Sequence, residues 1–165
     1  MNVRTIGFAL AVVLLTGFVL LSQPGRWYIG MYFGGRDYNY ITGLRDQLQK
    51  DPTNRELLDK IIARTKHADQ FCRGNAIGVL YQLSYYGSPT GKQIHDAALP
   101  VFVRALDEQD QSIKRAGLNG LDALGPCAVS AIPNVERKLS DPDPIIQQEA
   151  REVLQKLEKY RSEQR

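Results

Sequence analysis

At 165 residues the chain is long enough for one hydrophobic core and short for two. Two of its +3 formal charges come from Arg4 and Arg26. The chain holds no acid up to Arg26, and beyond it basic and acidic residues differ by only one. That near-neutral body argues against the broad basic face that nucleic-acid capture needs, so no nucleic-acid partner is expected. Two cysteines, Cys72 and Cys127, make neither a disulfide framework nor a structural zinc set.

The chain opens with an apolar run, Thr5 to Leu21, and no charge appears between Arg4 and Arg26. A helix needs about 20 mostly apolar residues to cross the hydrocarbon core of a bilayer. The run meets that length, and Trp27, Tyr28 and Tyr32 follow it as interfacial aromatics would. A cleaved signal peptide is the competing reading, favoured by the short positive start. Against cleavage, the apolar core is long and Leu20-Leu21-Ser22-Gln23-Pro24 lacks a small-x-small site. The expectation is therefore an uncleaved anchor over residues 1–22, in contact with lipid through residues 5–21. Flanking charges are close to a tie, with Arg4 and the amino terminus against Arg26 and Arg36. A short positive leader that stays inside places the body outside the cytoplasm, as the extracytoplasmic part of a single-pass membrane protein.

Residues 23–39 read as a juxtamembrane linker, in which glycines 25, 30, 34 and 35 break any long helix. From Tyr40 onward helix signals dominate, giving a helical domain over 40–165. Ile41, Leu44 and Leu48 form one apolar stripe of a short helix ending at Lys50. Asp51-Pro52 suits the start of another, with Leu57, Leu58, Ile61 and Ile62 as its stripe. A third, roughly 70–85, carries Cys72, Ala76, Ile77, Val79, Leu80 and Leu83.

The remainder repeats itself. One constant offset carries Pro100 onto Pro133, Leu106 onto Leu139, Ile113 onto Ile146, Leu121 onto Leu154 and Leu124 onto Leu157. A second, slightly longer offset carries Cys72 onto Ile113, Leu80 onto Leu121 and Leu83 onto Leu124. The extra residues fit in the turn-rich segment Tyr85 to Lys92. A fixed period with matching residue types marks stacked helix pairs, here 52–85, about 94–124 and 126–160. Each pair has an outer helix starting near a proline and an inner helix with small residues mid-length, such as Ala116, Gly117 and Gly120, that let neighbours approach. Asp143 is placed to cap the helix that Pro144 begins. The charged last helix suits an end cap.

This pattern, from Ile113 through Gly117-Leu118, Leu121, Leu124-Gly125, Ala128, Ala131-Ile132-Pro133 and Leu139 to Asp141, resembles the HEAT repeat. It is most similar to the short bacterial, phycobilin-lyase-type HEAT-like form. The resemblance is strong over about 94–157, fair over 52–85 and absent before residue 50. It implies an all-α solenoid of about three helix pairs, wound as a right-handed superhelix whose inner helices line a concave binding surface. It does not imply one function.

No catalytic, cofactor or metal set emerges. His67 and His95 are the only histidines, neither is followed by glutamate, and the His-Glu pairs of HEAT-type iron hydroxylases are missing. Gly87 to Lys92 hints at a phosphate loop, but its spacing is one residue short and Gln93 replaces the Ser/Thr. Cys72 aligns with Ile113 and reads as a core residue, too far from Cys127 to bridge.

Inner-helix positions off the apolar stripe are expected to face a partner. Across the pairs they align as Arg73, Lys114 and Gln147; Gly74, Arg115 and Gln148; Gly78, Asn119 and Glu152; and Tyr81, Asp122 and Gln155. The candidate contact residues are Arg73, Tyr81, Lys114, Arg115, Asn119 and Asp122, with Arg73, Lys114 and Arg115 as a basic lip for an anionic protein segment. The expected function is a membrane-anchored scaffold for protein–protein contact rather than an enzyme. The alternatives are a structural subunit of a membrane complex and, by fold analogy alone, a bilin-lyase-like cofactor-handling protein.

Overall fold

A computed structural model describes residues 23–85 and 91–164, with side-chain surroundings from residue 35 onward. The expected anchor over residues 5–21 lies outside the described residues, as does most of the loop read as a degenerate phosphate motif. Among the described residues no helix is long and apolar enough to cross a membrane. Internal contacts divide the chain into two units, Met1–Asn39 and Tyr40–Arg165.

The first helix, α1, spans Gln23–Lys50. The glycines at 25, 30, 34 and 35 therefore do not break it, contrary to the sequence expectation. Glycine lowers helix stability by about 1 kcal/mol per residue but keeps its N–H donor. Only Pro24 lacks one, and it stands in the first turn, where no intrahelical partner is needed.

Six helices follow in the second unit. Helix α2 (Arg55–Arg64) starts later than Asp51-Pro52 suggests, because Asn54 is the cap and accepts from the amide of Leu57 at 3.2 Å. Asp51 instead closes the preceding turn, accepting from Thr53 and Asn54. Helix α3 spans Gln70–Tyr85, α4 Gly91–Ala105 and α5 Gln111–Leu124. The outer element of the third pair is not one α-helix. It is a 3-10 segment, Gly125–Ala131, then the short α6 (Ile132–Glu136), then a second 3-10 turn, Arg137–Ser140. Pro126 and Pro133 each remove a donor from the i to i−4 ladder, so the tighter 3-10 form wins between them. Gly125 turns the chain at φ +54°, a conformation that glycine adopts without strain. Helix α7 (Pro144–Glu163) closes the stack.

Pro100 does not begin its helix either. It sits inside α4, on the exposed side, where water can replace the bond its ring forbids.

The hydrophobic core is one cluster running from Ile41, Leu44 and Leu48 of α1 through Leu58, Ile61, Ile77, Leu80, Phe102, Leu118, Leu121 and Leu124 to Ile146 and Leu157 of α7. Leu121 is fully buried and Leu154, its counterpart in the last helix, is partly covered against the same core. Leu80, Leu121 and Leu154, which the two recurrent offsets equate, thus lie in or against one core. Two glycines set its closest approach. A Cβ at Gly120 would lie 2.3 Å from the ring of Phe102, and one at Gly117 would lie 2.9 Å from the Phe102 carbonyl. The described residues form an all-α fold with six helices packed like a repeat solenoid, and no strand occurs among them.

Candidate functional site

The three inner helices begin alike. Asp69 accepts from the amides of Phe71 and Cys72, Asp110 from Ile113, and Asp143 from Ile145. These aspartates occupy equivalent positions in the repeat, and each fills a backbone donor that the first turn leaves open. One turn beyond each cap, at equivalent positions, stand Arg73, Lys114 and Gln147.

Each of the three ties down a turn. Arg73 reaches Glu108 in the α4–α5 turn at 3.0 Å, and its other terminal nitrogen donates to the carbonyls of His67 and Ala68. Lys114 reaches Asp141 in the α6–α7 turn at 2.7 Å. Glu108 and Asp141 are related by the same offset as Pro100 and Pro133, so the same rung recurs from pair to pair. Gln147 donates to the Asp141 carbonyl of its own turn. The Lys114–Asp141 rung is the buried one, with side chains 13% and 4% exposed. Burial alone would raise the Asp141 carboxyl. The hydrogen bonds from Lys114 and from the Asp143 amide, with the charges of Lys114 and Lys138, hold it below its ordinary value instead.

A second set of rungs joins α5 to α7. Arg115 meets Glu149 at 2.7 Å, which raises the guanidinium's pKa, and Asp122 meets Lys156 at 2.7 Å. The six sequence candidates therefore divide. Arg73, Lys114, Arg115 and Asp122 each pair with an opposite charge on another element. Tyr81 is partly buried and its ring centroid lies 6.0 Å from that of Tyr85. Asn119 is exposed. The basic lip exists as three cations, each facing an acid of this chain.

Sequence reading missed the turn residues, although the recurrent offset extends to them. They line an open groove of about 430 Å³ at the first inter-pair turn, formed by Gln70, Arg73, Arg104, Asp107, Glu108, Gln109 and Asp110. Asp107 bonds to Lys138 at 2.9 Å with Arg137 at 3.9 Å, and the Lys138 hydrogen bond is the main reason its carboxyl is held below the usual value. Arg104 crosses from α4 to the end of α2, where Nη2 donates to the Thr65 hydroxyl at 2.7 Å. Among the described residues no three His, Cys, Asp or Glu side chains gather to hold a metal ion.

No family profile matches the chain, and no curated protein matches it. A solved structure does: the crystal structure of an engineered protein, a Northeast Structural Genomics Consortium target. The TM-score is 0.58 at 18% identity over 70% of this chain. The match covers 51% of the engineered chain, so this protein spans about half of that one's length. At that identity the similarity shows the fold alone, a helical repeat-like stack.

Proposed function

We propose that the chain is a HEAT-like scaffold that presents its inner-helix row to a protein partner, held at a membrane by the apolar segment over residues 5–21. The observation that carries this reading is a row of polar side chains not tied to a neighbouring unit. Along the inner helices Asn119 and Gln155 are exposed, Gln148 and Glu152 are exposed and bond only within their own helix, and a Cβ on Gly78 would meet nothing within 4 Å. Below that row the helices share one core, and beside it the charged residues are locked in rungs. A rigid face with adaptable amide side chains and bare backbone suits contact with another polypeptide. No catalytic role, cofactor or metal is assigned to it, and the apolar leader supports single-pass attachment with the stack outside the cytoplasm.

The test is cross-linking of the full chain in detergent, followed by mass spectrometry. Wild type is compared with Asn119→Arg and Gln155→Arg, which alter the row without touching the core. Loss of the same cross-linked protein in both variants supports the reading, and retention of every cross-link in both would refute it. A partner that stays bound through detergent exchange identifies a permanent complex, and one that washes out a transient contact.

A further inference from the structure

The groove at the first inter-pair turn is lined by five charged side chains, and four of them are answered within the chain. Glu108 faces Arg73, and Asp107 faces Lys138 and Arg137. Asp110 caps α5, whose N-terminus carries partial positive charge. Arg104 differs. Its Nη2 meets only the hydroxyl and, at 3.5 Å, the carbonyl of Thr65, and no acid of the described residues pairs with it. The Nε of Arg73, in the same lining, is buried with no hydrogen-bond partner.

Resting on the scaffold reading, we infer that this groove receives a single acidic side chain of a protein partner, with Arg104 as its clamp. A guanidinium donates strong charge-assisted bonds to a carboxylate, and Arg104 Nε and Nη1, on opposite edges of the group, make no hydrogen bond among the described residues. The Thr65 bond to Nη2 holds the guanidinium in place, so less freedom is lost on binding. The exposed amides of Gln70 and Gln109 stand in the groove with no side-chain bond of their own, and they suit the peptide groups flanking the acid. Three carboxylates share the lining with Arg104, which disfavours a run of negative charges. The groove is open rather than enclosed, so it suits a side chain delivered by a docked chain better than a free ion, which would keep its water.

The probe is a blocked pentapeptide with a central glutamate, titrated into the full chain in detergent micelles while the Arg104 Nε–Hε resonance is followed. Matched peptides with central glutamine or lysine, and inorganic phosphate, are the comparisons. The glutamate peptide is expected to shift that resonance saturably and to bind about tenfold tighter than the glutamine peptide, as one charge-assisted bond implies. Arg104→Gln removes the binding. Gln109→Glu, an exposed change that touches no internal bond, weakens it several-fold, and Gln109→Lys strengthens it. Arg115→Gln leaves it unchanged. Equal affinity for the glutamate and glutamine peptides, tighter binding of the lysine peptide, or no response to either Gln109 change would overturn the inference. Phosphate binding as tightly as the peptide would overturn it too, making this a small-anion site. A partner lost on Asn119→Arg but indifferent to Arg104→Gln would leave the scaffold reading standing and remove only the groove.

Discussion

The ammonium of Lys114, on the first turn of α5, lies 2.7 Å from a carboxylate oxygen of Asp141, whose side chain is 4% exposed. Asp141 also accepts from the Asp143 amide at 3.1 Å, so one carboxylate joins two helix pairs and shapes the turn before α7. A buried charge left without its partner is costly. Lys114→Met should therefore destabilise the fold by about 3 kcal/mol. Arg115→Ala, at a half-exposed pair, should leave stability close to that of wild type. Urea midpoints of the two variants against wild type measure the difference.

The same carboxylate sets an acid limb. Asp141 and Asp107 are both held below their ordinary values, so the unfolded chain binds protons more readily than the native one. Their contribution is complete above the unfolded pKa of about 3.9 and is lost as pH falls through the lower folded value. Stability should fall below about pH 4, and Asp141→Asn should flatten that limb while lowering stability at neutral pH. Chemical denaturation at a series of pH values decides it; an unchanged acid slope in the variant would refute the assignment.

Two glycines on inner helices should respond with opposite signs. Gly120→Ala places a methyl 2.3 Å from the buried Phe102 ring and should cost about 1–3 kcal/mol through overpacking. Gly78→Ala meets open space within α3 and should stabilise by about 0.5–1 kcal/mol through helix propensity. Thermal melts of the two variants give both signs directly.

The two thiols should report the fold independently. Cys72 is buried and Cys127 exposed. A maleimide reagent should add one label rapidly to the native chain, at Cys127, and a second only after denaturation. Intact mass with peptide mapping reads both steps; fast double labelling under native conditions would contradict the packing of α3.

Most of the stack was legible because its apolar residues recur. The two offsets equate Leu80, Leu121 and Leu154, and all three lie in or against one core. The elements that escaped are those where one residue type has two physical outcomes. Glycines before Tyr40 weaken a helix without ending it, so α1 runs on to Lys50. Pro133 stands in the first turn of a helix, whereas its counterpart Pro100 sits inside one. Spacing cannot separate those outcomes, since both keep the same register.

The interaction residues were legible in position and not in pairing. Arg73, Lys114 and Arg115 align as a basic row, but their partners Glu108, Asp141 and Glu149 come from other elements. Arg104 lies on an outer helix, outside the set of inner positions that the alignment picks out. Its place in the groove depends on the crossing to Thr65, far back along the chain, which no local pattern encodes.

The recurring rung changes at α7. Arg73 and Lys114 each extend a cation toward the turn that follows, but the equivalent place on α7 holds Gln147, which turns back on the Asp141 carbonyl. A further module grafted behind α7 would find a neutral amide where its predecessors found a charge, and its own turn acid would stand in the protein unanswered. Polymerising this architecture thus calls for lysine or arginine at position 147 as well as another copy of the repeat.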